Sequence, residues 1–547
     1  MLRIVRLVAV VGALLWNPTT GSAAAQTQAP LFESLGKFHH AVTTDRPLAQ
    51  RYFDQGLILV WAFNHAEAAR SFRAAARLDP RCAMCYWGLA LALGPNINSP
   101  MSSEAIPEAW NAVQRAQALA TGVTDRERIY IWALSKRYAP DEKTDRYQLD
   151  LEYVKAMRYV LHAFPKDVDA GALYVEAVMT LNPRNYWTAS GAPQPWTPYI
   201  LRILDWVVTQ APEHPGANHL YVHALESSPI PEQALASAER LTDLAPDAGH
   251  FAQMGAHIYF RVGRYLDAAA ATQKAIAADR NYLSGNHVQG FYTQVLIPRA
   301  HYFLSLSAAM SGRSRLSIEA AKAAASAVDP ALLRQPGMGA LQHYYVTPLY
   351  ALARFGRWRE ILATPQPVPI TLYTSAVWHY VRGLAFVAQH NFDAARRELN
   401  EVRAVGAHTA LSDVTVDGIN PLSNLVRIAV HVLAGEMAVR QDDFVQALLQ
   451  FSKAVELQDE LRSQVPPAWY YPVRQSLGAV LLKAGFSSQA ESVYRRDLED
   501  YPDNGWDLHG LARSLLAQGK AEAAQETVRR FRKAWRMADI NLDASGF

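Results

Sequence analysis

The chain has 547 residues, is 50% hydrophobic and 19% charged, and carries 29 Gly, 30 Pro and 2 Cys. These values exclude a collagen and a disulfide-stapled mini-protein, and they argue against disorder over most of the length. With 53 Lys plus Arg against 50 Asp plus Glu, the formal charge is +3, which argues against nucleic-acid binding driven by bulk electrostatics. By length alone the chain is three or four globular domains or one long repeat array.

Residues 1–25 have the form of a secretory signal peptide. Arg3 and Arg6 make a basic start, Leu7 to Trp16 is a short apolar run, and Ala23-Ala24-Ala25 supplies a cleavage pattern. The expected mature chain is exported, periplasmic or secreted. No later stretch reads as a membrane span, so no transmembrane segment is expected after cleavage.

The first helical unit follows. Gly56, Ala68, Phe72, Ala75 and Asp79-Pro80 fit a helix–turn–helix repeat, the Pro pushing its predecessor out of the helical region. The same Gly-to-Ala interval of twelve recurs in Gly383/Ala395, Gly435/Ala447 and Gly478/Ala490. Gly485/Gly519 and Ala490/Ala524 are each 34 apart, the period of the tetratricopeptide repeat. A further copy runs through Gly263, Tyr265, Ala268 and Ala275. The fold expected is all-α, a tetratricopeptide-like helix–turn–helix solenoid. Its parts are N-terminal repeats over 32–181, a histidine-bearing centre over 182–310 and C-terminal repeats over 311–547. Loops interrupt it at Asn182–Pro198 and Gly406–Asn424, and Asn96 and Asn98 read as a turn.

Candidate chemistry concentrates in the centre. After His214-Pro215-Gly216, a helix start, His219, His223 and Glu226 fall at i, i+4 and i+7 and share one helix face. Two imidazoles so spaced can share a metal ion, and a carboxylate one turn on can ligate it, orient a ligand or act as a base. His250 and His257 follow one helix later, on either side of Gln253. The candidate metal set is therefore His219, His223, Glu226, His250 and His257, for zinc or copper, with Glu226 the candidate catalytic group. Tyr221, Tyr259 and Asp279 are near in sequence as partners for the second ring nitrogens. A hydrogen-bonded structural cluster is the alternative, since no His-Glu-x-x-His motif is present.

Weaker candidates for ligand binding are His39, His40, His65 and Arg299. A guanidinium at Arg299 in the same cavity would repel a cation and favour an anion such as a carboxylate. Cys82-Ala83-Met84-Cys85 is a C-x-x-C at a helix start, open to a disulfide, to soft-metal binding or to two packed thiols. Tyr86 in place of His excludes c-type haem attachment.

The runs Phe63-Asn64-His65, Cys82-Ala83-Met84, Trp87-Gly88, Asn185-Tyr186-Trp187, His214 to Ser227 and Asn504-Gly505-Trp506 together resemble an exported bacterial family of tetratricopeptide-repeat proteins, largely uncharacterised. The resemblance implies the solenoid fold. It also implies a histidine-rich centre, matched here by His219, His223, Glu226, His250 and His257. The family pattern has His at the position of Gln253, and His-Asn and His where this chain has Arg299-Ala300 and Tyr302. Two functions from different classes follow. One is a solenoid that binds a peptide, protein partner or small ligand in its concave groove. The other is a metal-dependent centre, hydrolase-like or copper- or zinc-handling, built into that solenoid.

Overall fold

The computed structural model describes residues 29–188, 190–285, 292–368, 371–462 and 465–546. The signal-peptide reading of 1–25 lies outside them. Twenty-four α-helices follow one another among the described residues, and the β-structure there is a minimal hairpin, Thr415–Val416 with Asn420–Pro421, plus two isolated bridges. The protein is an all-α, tetratricopeptide-like solenoid of helix–turn–helix units.

The turns explain the unit. Tight turns of closely similar form join Pro47–Trp61 to His65–Leu78, Gly249–Arg261 to Tyr265–Gly285, and Ile297–Met310 to Ser314–Ala327. Each needs one residue with positive φ, supplied by Phe63, Gly263 and Gly312 respectively. Gly356, His390, Asp442, Gly485 and Gly519 do the same in later units. Gly occupies most of these positions because the left-handed region costs it nothing.

The glycines of the repeat register work differently, by admitting rings. A Cβ on Gly56 would stand 2.8 Å from the Phe72 ring, and one on Gly435 would stand 2.9 Å from Phe451. Gly88 abuts Phe72 from the following helix, and Tyr494 is gripped in the same way between Gly478 and Gly510. One aromatic thus fills the space opened by two glycines in successive units. Ala68, Ala395, Ala447, Ala490 and Ala524 are all buried beside these contacts. The resulting core is continuous from Leu35 to Ala524.

The helix Leu422–Arg440 corrects the sequence reading of membrane spans, because by length and composition alone it is apolar enough to cross one. Its apolar face, with Leu425, Val426, Val432 and Leu433, is buried in the core, and Arg427, His431 and Glu436 interrupt the rest. Such a helix satisfies its apolar surface against neighbouring helices.

Cys82 and Cys85 are disulfide-bonded, with Cα atoms 5.4 Å apart. Cys82 caps the helix Ala83–Leu93, its sulfur accepting from the Cys85 N–H at 3.1 Å. Both are fully buried, which suits a staple on the helix start and leaves no sulfur exposed to a redox partner.

Two outcomes are expected. Gly478→Val should destabilise the protein by about 1–3 kcal/mol in denaturant unfolding, by overpacking against Tyr494. Alkylation without reductant, read by mass spectrometry, should leave Cys82 and Cys85 unmodified, and alkylation after reduction and unfolding should label both.

Candidate metal centre

The centre is assembled from the end of one helix, the whole of a second and the face of a third. Pro47–Trp61 stops at Trp61, so the Trp61 carbonyl has no backbone donor within its own helix. The helix Pro215–Leu225 packs across that end. Gly216 makes the close approach possible, since a Cβ there would collide with the Trp61 indole. One turn on, His219 donates its Nδ1 proton to the Trp61 oxygen at 2.5 Å.

Glu226, at the C-terminal end of the same helix, takes the Nδ1 protons of His223 at 2.8 Å and His257 at 2.6 Å, one on each carboxylate oxygen. The acceptors decide the tautomers: a carbonyl or a carboxylate can only accept, so each Nδ1 carries the proton and each Nε2 presents a lone pair. Burial lowers the affinity of His219, His250 and His257 for a second proton. His219 and His250 are held well below the usual histidine range by burial first and by neighbouring imidazoles, and His257 is pulled down to about 4. Burial alone would raise the Glu226 carboxyl, but the N–H groups that His223 and His257 direct at it outweigh that and hold it well below the usual range.

The Nε2 atoms of His219, His223, His250 and His257 are buried and meet no hydrogen-bond partner among the described residues. The rings of the first three form one group, with a ligating nitrogen from each within 4.8 Å of the other two. Three points so spaced share a centre no more than about 2.8 Å from each, against the roughly 2.0–2.1 Å of a zinc–imidazole bond. Small side-chain movements close that gap. Gln253 lies one helical turn from His250 on the same helix, and both its amide oxygen and amide nitrogen are likewise buried without a partner.

Phe63 closes the other side. Its ring centroid lies 4.6 Å from that of His219 and 5.6 Å from those of His223 and His250. It is also the large aromatic that holds a positive-φ turn position, at φ 57°, where most other units use Gly and two use His390 and Asp442. A bulky residue there is strained by about 1–2 kcal/mol. The strain is borne where the ring shields three imidazoles.

Several sequence expectations change. Glu226, expected among the metal ligands, has both oxygens committed to imidazole N–H groups and acts on the cluster through them. His257 stands outside the three-nitrogen group and shares Glu226 with His223. The proposed outer partners are elsewhere: Tyr221 donates to Asp205, and Asp279 accepts from Tyr292. Their places are taken by the Trp61 carbonyl and Glu226, and a backbone carbonyl leaves no mark in a sequence. His39 is exposed and bonded to Asp54. His40 and His214 both bond Asp169, His214 also accepting the Ala217 N–H at its helix start. His65 spends one nitrogen on the Ala92 carbonyl and faces the Asn96 amide with the other. None of these four joins the Nε2 group.

Arg299 does reach the centre, where its charge opposes a cation and favours an anion beside it, and Asp417 offsets part of that charge. Arg299 is felt through its charge at His250 and His257, and its Nη2 donates to the Val465 carbonyl at 2.5 Å. Asp417 lies 3.7 Å from it and 3.5 Å from Arg184. Beside it lies a small cleft lined by His223, Glu226, Arg299, Arg184 and Arg462 together with mostly apolar side chains.

His65 provides a pH test. Burial pulls it down to about 4, whereas in the unfolded chain it titrates near 6.5. Between these values the unfolded state binds the extra proton, so this contribution to stability is present above pH 6.5 and is lost as pH falls toward 4. The Tm advantage of the native chain over His65→Gln should shrink across that window in thermal unfolding.

No family model matches the chain, and no curated protein does. Among solved structures it is similar to a human IFIT1 dimer with m7Gppp-AAAA, at 12% identity over 90% of this chain and 91% of that one, with a TM-score of 0.31. A second is the APC/C hetero-tetramer Cut9-Hcn1, at 13% identity over 90% of this chain and 74% of that one, with a TM-score of 0.29.

Proposed function

We propose that this protein is a metalloprotein: a helical-repeat solenoid that holds one zinc or copper ion on His219, His223 and His250. The observation that carries the reading is a set of three buried imidazoles, each with a ligating nitrogen within 4.8 Å of the other two, whose Nε2 atoms have no hydrogen-bond partner among the described residues. A structural cluster of histidines pairs its nitrogens, as His40, His65 and His214 do, because an unpaired buried polar atom costs about 1–3 kcal/mol. Here the Nδ1 of His219 and that of His223 are fixed by strong acceptors, and the Nε2 of each is directed to a common centre, the arrangement that metal-ligating imidazoles adopt.

Three nitrogen ligands leave a position open in a tetrahedral site, the pattern of a metal that acts on a substrate rather than one that only supports the fold. A bound zinc ion would supply Lewis acidity or an activated water there. In this chain the work falls to Glu226, which orients His223 and keeps it basic toward the metal, and to Phe63, which keeps water off one side. We extend the reading to export: residues 1–25 have a signal-peptide pattern, and a Cys82–Cys85 disulfide suits an oxidising compartment. Recruitment of a peptide or protein partner along the concave surface is compatible with the same scaffold.

Elemental analysis of the purified chain, with calorimetric titration of zinc and copper into chelator-treated protein, tests this. About one ion per chain is expected. His219→Ala/His223→Ala should abolish binding, and Glu226→Gln should weaken it about 10–100-fold. Native protein that takes up neither ion would overturn the proposal.

A further inference from the structure

The cleft beside the histidines defines what reaches the metal. It is narrow, with about 40 Å³ open to the centres of water-sized molecules. At about 10–15 Å³ per water that is room for roughly three waters, or for the end group of a larger ligand. Three guanidiniums, Arg184, Arg299 and Arg462, line it, against the carboxylates of Glu226 and Asp417 at its margin. Three positive and two negative charges leave one positive charge before any metal is bound.

Arg299 is the decisive group. It is buried, one nitrogen is held by the Val465 carbonyl, and its Nε–H has no partner among the described residues. Asp417 approaches it only at 3.7 Å and is shared with Arg184, which also donates to the Asn98 side chain. A buried guanidinium N–H left unpaired beside a metal with an open position calls for an acceptor carrying negative charge. The remaining lining is Ile97, Tyr186, Trp187, Ile419 and Val465, largely apolar, together with Ser227.

We infer that the open position of the metal takes a monocarboxylate. This rests on the metal reading above. One carboxylate oxygen ligates the ion, the other accepts from the Arg299 Nε–H, and the carbon chain lies along Trp187 and its apolar neighbours. A flat carboxylate fits the narrow space and can bridge the ion and the Arg299 guanidinium, whereas a tetrahedral oxyanion is bulkier than the space beside the metal. Glu226 cannot serve as this carboxylate, because both its oxygens already hold imidazole protons.

The test uses the full chain loaded with cobalt(II), whose visible spectrum reports its ligands. Acetate should shift the spectrum saturably. Butyrate should do so at least threefold more tightly, because its chain adds apolar contact, and phosphate or sulfate at equal concentration should act more weakly than acetate. Arg299→Met should keep the cobalt spectrum but bind acetate at least tenfold more weakly. A native spectrum indifferent to acetate, an equal response in Arg299→Met, or a stronger response to phosphate would overturn the inference while leaving the metal reading intact. Should Arg299→Met not fold, the native series of anions decides alone. Failure of cobalt to bind through nitrogen would overturn both readings, and elemental analysis identifies that case separately.

Discussion

The buried Glu226 carboxylate is the contact on which the centre depends. An isolated carboxylate in this position would be driven to its neutral form by desolvation. Two imidazole N–H groups reverse that preference, and the ionised group in turn fixes both rings in the tautomer that presents Nε2. The arrangement is mutual: removing either histidine leaves the carboxylate half satisfied, and removing the carboxylate frees two rings to turn. His219 is held independently, by the carbonyl at a helix end, so the three-nitrogen group has two separate anchors.

A solenoid is suited to building such a site. Its helices pack against their neighbours in order, so a residue on one helix and a residue on the next repeatedly meet at the same height. His219 and His223 come from one helix and His250 from the helix Gly249–Arg261, while Trp61 and Phe63 come from more than 150 residues earlier, across the turn of superhelix. The small residues that bring the helices together also set the site's dimensions. Gly216 is at once a packing glycine and the reason His219 reaches Trp61.

The position of Phe63 shows how a repeat becomes a site. In unit after unit the turn residue with positive φ is Gly, or a residue that does not cover a ligand cluster. At this one turn a large aromatic takes the strained conformation, and its ring covers three imidazoles. Sequence departures of this kind, where a local rule is broken inside an otherwise regular series, are where strain is spent on something other than stability.

Much of the architecture was legible in the residues. The Gly/Ala register, the Asp-Pro stop and the helical spacing of His219 and His223 depend on neighbours within one or two turns, and local geometry alone makes them readable. That reasoning also expected His250 near the pair, one helix later; the helix Leu235–Leu244 in fact intervenes, and His250 meets the pair because Gly249–Arg261 packs against Pro215–Leu225 beyond it. The same spacing placed Glu226 among the ligands, since on an isolated helix a carboxylate at i+7 faces the same way as two histidines. Only the tertiary structure decided otherwise, by bringing His257 within reach of its second oxygen. The Trp61 carbonyl and the ring of Phe63 were beyond the sequence, and Arg299, named only as a candidate, needed the structure to bring it beside the centre. Each depends on a contact between distant segments, and a backbone acceptor has no residue type to reveal it. The sequence determined which groups stand on one helix face. The packing of helices distant in the chain determined which nitrogen of each ring is left free, and therefore what the cluster can bind.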